Sequence, residues 1–237
     1  MITLNASPAV TREDLHFGRI ASFLLGVGAV GLVMTCAFYA LAGPQAALPG
    51  GWSTVEAARA STPGAWQWMR LAGLVGMPSD VMLGVGALMM AMTKRGSGAG
   101  VAVAGWLSMA IAGALFIIID AMVAFVLPPA AAAGDGYLAV RALFDVLFAI
   151  GAWATAVGAL AAAWSKRWPE FRSWPSLWLM RGAGVIGVFA TTGFLLGVPV
   201  APLIGPGIGL LALALVAVGL TGFRASAAGA EPAVPAM

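Results

Sequence analysis

Residues Leu138–Trp164 read LAVRALFDVLFAIGAWATAVGALAAAW. The stretch is almost wholly apolar. At about 1.5 Å of rise per residue it is long enough to cross a hydrocarbon core of about 30 Å. Yet it carries Arg141 and Asp145. Charge inside hydrocarbon is costly and turns toward a bundle interior. The stretch is therefore read as a membrane helix whose polar face meets other helices.

The rest of the chain follows the same pattern. Of 237 residues, 61% are hydrophobic and 9% charged, and the mean hydropathy is +0.97. A water-soluble domain carries about 25% charged residues, so lipid is the main solvent here. Working outward, the apolar runs predict six spans, at about 20–42, 71–92, 101–127, 138–164, 182–198 and 200–223. The expected fold class is an all-α, six-helix transmembrane bundle. Residues 1–17 form a polar N-terminal segment, residues 18–224 the membrane domain, and residues 225–237 an Ala/Pro/Gly tail expected to be disordered. Ala40-Leu41-Ala42 resembles a signal-peptidase site, but the apolar run before it is too long for a signal peptide, so an uncleaved first helix is expected.

Boundary signals refine the spans. Thr11 and Asp14 resemble a capping box ahead of the first span, and Ser53 and Glu56 suggest a short surface helix ending near Arg59. Thr62-Pro63 suits the start of the second long helix, and Pro78 kinks its middle. Thr93-Lys94-Arg95-Gly96 reads as a tight basic turn. Pro128-Pro129 ends the third span, and Asp135 caps the fourth. Ser165–Ser176 mixes basic residues with tryptophans, as a loop at an anionic lipid surface does.

Six spans put both ends on one side, and charge chooses the side. With the ends in the cytoplasm, Arg12, Arg19, Lys94, Arg95, Lys166, Arg167, Arg172, Arg181 and Arg224 lie on or near that face. Arg59, Arg70 and Arg141 fall opposite. This follows the positive-inside rule and suits a bacterial inner membrane. The net charge of +3 is thereby explained without a nucleic-acid partner. Met69–Gly76 (MRLAGLVG) is similar to Met180–Gly187 (MRGAGVIG), as inverted three-helix halves would be. The match is short and built from common membrane residues, and coincidence is the simpler account.

Chemistry has few places to sit. Asp80, Asp120 and Asp145 lie in three successive spans, with Arg70 and Arg141 as charge partners. By helix rise, Asp80 falls near mid-membrane and the other two acids in the outer half. The three acids and two arginines are expected to form one cluster, with Asp80, the deepest, lacking a fixed partner. Asp145 and Arg141 are four apart and can pair. Gly73, Gly76, Met77, Gly84 and Ala87 share the face of Asp80, and small residues mark helix contacts in membranes.

Absences narrow the classes. The single His16 and single Cys36 exclude a bis-histidine haem, a His-rich metal site, a thiolate cluster and an internal disulfide. No phosphate loop, nucleophile elbow or zinc-protease motif occurs, and no catalytic residue is assigned. No cofactor motif is present, although a non-covalently held lipid or pigment would leave none. Three function classes remain. One is a small proton- or ion-coupled transporter using the three acids. A second is a non-catalytic scaffold in a larger membrane complex or homo-oligomer. The third is an outer-leaflet lipid-modifying enzyme. Beyond these, the expected partner is the lipid bilayer itself.

Overall fold

The computed structural model describes residues 12–43, 50–60, 63–93, 100–164, 174–198 and 200–228. Among them the chain is helical, without strands. The long helices are α1 (Arg12–Ala42), α3 (Pro63–Thr93), α4 (Gly100–Ala121), α6 (Tyr137–Ala162), α7 (Trp174–Leu195) and α8 (Ile204–Ala228). Two short ones, α2 (Val55–Ala60) and α5 (Leu127–Ala133), lie at the end of the bundle opposite the one shared by the start of α1 and the end of α8. Six stretches are long and apolar enough to cross a membrane, and the protein is an integral membrane protein.

Each span packs on its neighbours in sequence, α1 on α3, α3 on α4, α4 on α6, α6 on α7 and α7 on α8. The last pairing, α8 on α1, closes the series into a ring. Short connections explain the antiparallel neighbours, and small residues allow close approach. At the closing seam Gly219 lies on the backbone of Gly26, where an added Cβ would come within 2.7 Å. A serine fixes the α1–α3 seam, Ser79 Oγ donating to the Gly28 carbonyl at 2.6 Å. Large apolar side chains on every span, including Phe23, Val81, Ile111, Val146, Phe189 and Leu213, face outward. Lipid is the solvent that suits them.

Several boundaries differ from expectation. The third span does not end at Pro128-Pro129. A π-helix over Met122–Val126 follows α4, and the prolines occupy the first turn of α5. There a missing N–H costs nothing. The widened turn carries the helix on, with the Leu127 N–H donating to the Met122 carbonyl. Ala130–Ala133 is therefore helical. Asp135 does not cap α6. Gly136, at φ 74°, occupies that place without a side-chain bond. In α2 the cap is Thr54, whose Oγ1 accepts from the Ala57 N–H at 3.1 Å, rather than Ser53. The fifth span begins at Trp174, and α8 runs to Ala228, past the expected start of the disordered tail. Pro78 is accommodated inside a continuous α3. The expected features at Thr11, Thr62, residues 94–99 and residues 165–173 lie outside the described residues.

Candidate functional site

Helices in a closed ring touch their two neighbours and leave the centre to be filled or left open. Here it is open. A chamber of about 100 Å3 lies on the ring axis. All six spans line it: Leu25 and Leu32 from α1, Leu83 from α3, Phe116 from α4, Phe148 from α6, Gly187 from α7 and Leu211 from α8 are among its walls. The wall is hydrocarbon over most of its surface. Phe116 and Phe148 meet edge to face across the α4–α6 seam, with ring centroids 5.8 Å apart.

One side of the chamber is polar. Asp80 and Asp120 line it, 5% and 4% exposed, and their carboxyl groups hydrogen-bond to each other. The Tyr39 hydroxyl donates to Asp120 Oδ1 over a long 3.4 Å. Thr35 and Cys36 complete this side from α1. The Thr35 hydroxyl is buried and has no hydrogen-bond partner among the described residues. Thr155 and Thr191 also reach the chamber, but their hydroxyls donate to the Gly151 and Gly187 carbonyls of their own helices. Among the described residues no lysine, arginine or histidine lines the chamber.

Local structure sets this geometry. Ser79 is tied to α1, which turns Asp80 off that seam and into the chamber. Gly76 makes room for its partner: a Cβ there would overlap the Asp120 carboxyl. Gly73 lies close to the Asp120 backbone. The π-helix begins two residues after Asp120. Such turns recur at functional positions.

The expected single cluster is instead two. Asp145 pairs with Arg141, Arg141 Nε donating to Asp145 Oδ1 at 3.0 Å. Neither residue lines the chamber. They anchor the segment after α1: the Gly50 N–H donates to Asp145 Oδ2 at 3.1 Å, and the Tyr137 hydroxyl to the Trp52 carbonyl at 2.9 Å. Trp52, held at φ 45°, is buried against Trp66. Arg59 reaches across to the carbonyls of Ala131, Ala132 and Ala133, capping α5. Arg70 joins neither cluster. It is exposed beside a groove formed with Trp66, Gln67, Phe125 and Pro128.

Asp80 was expected to be the deepest acid and the one without a partner, but it sits level with Asp120 and bonds to it. Continuation of the third span to Ala133 places Asp120 deeper than a helix ending at Pro128 would. Tyr39 and Thr35 did not emerge as candidates. Their signal was polar residues at 35, 36 and 39, one face of an otherwise apolar first span. Among the described residues, no group of three or more His, Cys, Asp or Glu side chains is placed to hold a metal ion. Comparison with protein-family models, curated proteins and solved structures finds no match to this chain.

Proposed function

We propose that the protein is a small proton-coupled transporter of a bacterial inner membrane, carrying a solute through the chamber on the ring axis. One observation carries the reading: an unfilled chamber, walled by every span, presents a hydrogen-bonded carboxyl pair to its contents. A scaffold gains nothing from an open centre, since unfilled space forfeits packing. Lipid modification by acid chemistry at the membrane surface would need the acids near a headgroup, and this pair sits mid-span.

In the proposed cycle, solute and proton use one site. The carboxyl pair holds protons while the chamber is empty and yields one when solute binds. Apolar walls exclude water, so proton and solute exchange only through an open end. Opening needs the six helices to shift against one another, and seams of small residues permit sliding by small steps. The basic residues at 12, 19, 181 and 224 support a cytoplasmic side for both described chain ends under the positive-inside rule.

The test is proton movement in proteoliposomes loaded with a pH-sensitive dye. Cationic, neutral and anionic hydrophobic solutes are added in turn. At least one class is expected to drive a proton flux that Asp80→Asn and Asp120→Asn abolish. Absence of flux for every class, or an unchanged flux in both variants, overturns the reading.

A further inference from the structure

The chemistry of the chamber also bears on what it takes. We propose that its occupant is a hydrophobic organic monocation, such as an ammonium or phosphonium carried on an apolar body. This rests on the chamber being a solute site, and it goes further by fixing the charge and shape of the solute.

The argument begins with charge balance. A space walled by hydrocarbon has to stay close to neutral, because an uncompensated ion there is costly. Asp80 and Asp120 are the acids of the chamber, and no basic side chain lines it among the described residues. From α1, Tyr39 and Cys36 face the pair. From α6, α7 and α8 no titratable group among the described residues lines the chamber. Neutrality therefore has two sources, protons when the chamber is empty and a cation when it is filled. An anionic solute finds no counter-charge, and a neutral one has no reason to displace a proton.

The walls suit an organic body better than a bare inorganic ion. A hard cation needs about six or more oxygen ligands arranged around it. The two carboxyls and the hydroxyls of Thr35 and Tyr39 lie on one side, the Thr155 and Thr191 hydroxyls are bonded to their own helices, and the other walls are mostly aliphatic and aromatic. An apolar body carrying one positive charge fits both parts. Its charge faces the acids, and its hydrocarbon lies against Leu83, Phe116, Phe148 and Leu211. Phe116 and Phe148 can also offer a ring face to a cation. The buried Thr35 hydroxyl, without a partner among the described residues, gains one when an N–H or water enters with the solute. With room for about 100 Å3 of contents, the chamber suits a compact cation rather than a long one.

The exchange balances. In the empty chamber both carboxyls are neutral acids. A monocation enters, the O–H bond of one acid breaks and its proton leaves to water. The carboxylate left behind faces the cation, and the other acid still donates its hydrogen bond. Net charge in the chamber is zero before and after.

The test uses wild-type protein in lipid nanodiscs, titrated calorimetrically with tetramethylammonium and, as the compact anion, tetrafluoroborate. Empty nanodiscs correct for partition into lipid. The cation is expected to bind and release one proton, with affinity rising roughly tenfold per pH unit. The borate is expected to show nothing beyond the empty discs. The Asp80→Asn/Asp120→Asn double variant, checked for a wild-type unfolding temperature, is expected to lose the pH dependence. Equal binding of borate, or cation binding indifferent to pH in the wild type, overturns the proposal without needing a variant. Failure of the transport reading looks different. Cation binding with proton release but no flux in proteoliposomes keeps the site and removes the transporter. Flux of neutral solutes with no preference for cations keeps the transporter and removes this assignment.

Discussion

Two Asp-containing pairs sit in this bundle, and their surroundings assign them opposite tasks. Arg141 is 3% exposed and its charge is met by Asp145, so the pair is fixed. Removing one partner of a buried ion pair costs about 3–5 kcal/mol. Arg141→Ala is expected toward the lower end of that range, since the Asp145 side chain is 18% exposed and can rehydrate. Asp145→Asn should cost less, and the double variant no more than Arg141→Ala alone, as denaturant unfolding in detergent would measure. Additive losses would mean the two residues act separately. The four-residue spacing made this pair legible in the sequence. The Asp80–Asp120 bond was not, because 40 positions of chain separate the two and the rotation of each helix is set by packing. Near them, Cys36 is the single thiol of the chain and faces the chamber. A membrane-permeant maleimide should label it more slowly when the chamber is occupied, and mass spectrometry gives the rate.

At the scale of the helix, spacing and tight seams decide what works. Small residues on α3 were legible as a contact face, but which helix they served was not. Gly73 and Gly76 share the face of Asp80 and yet make room for Asp120. Gly76→Ala is therefore expected to push the Asp120 carboxyl out of its pair while leaving both acids in the chain. Overpacking of this kind costs about 1–3 kcal/mol. A fall in unfolding temperature together with lost proton flux would agree, and flux at the wild-type level would not. The π-turn after Asp120 was invisible beforehand. Consecutive prolines read as a stop, and only the structure shows a widened turn ahead of them that lets the helix resume.

For the whole molecule, hydropathy gave the number of spans, since apolar length is a one-dimensional property. It could not give the ring, because which helix meets which is a matter of shape. The closing seam is the most exposed to test. Gly219→Val would drive a side chain into the Gly26 backbone. The expected loss is about 2 kcal/mol, with opening of the chamber to lipid. Thermal unfolding reads the first, and loss of cation binding the second. Orientation is tested separately. A fluorescent-protein fusion after Ala228 should be bright, and a phosphatase inserted at Gly50 active. The reverse pattern would invert the proposed topology.

The meeting of α8 with α1 has a consequence for biosynthesis. Five spans can enter the bilayer and pair side by side as they emerge, but together they make a trough, open to lipid tails along one flank. The acid pair, drawn from the second and third spans, is assembled early and stays exposed on that flank until the sixth arrives. Its final surroundings thus wait on the sixth span.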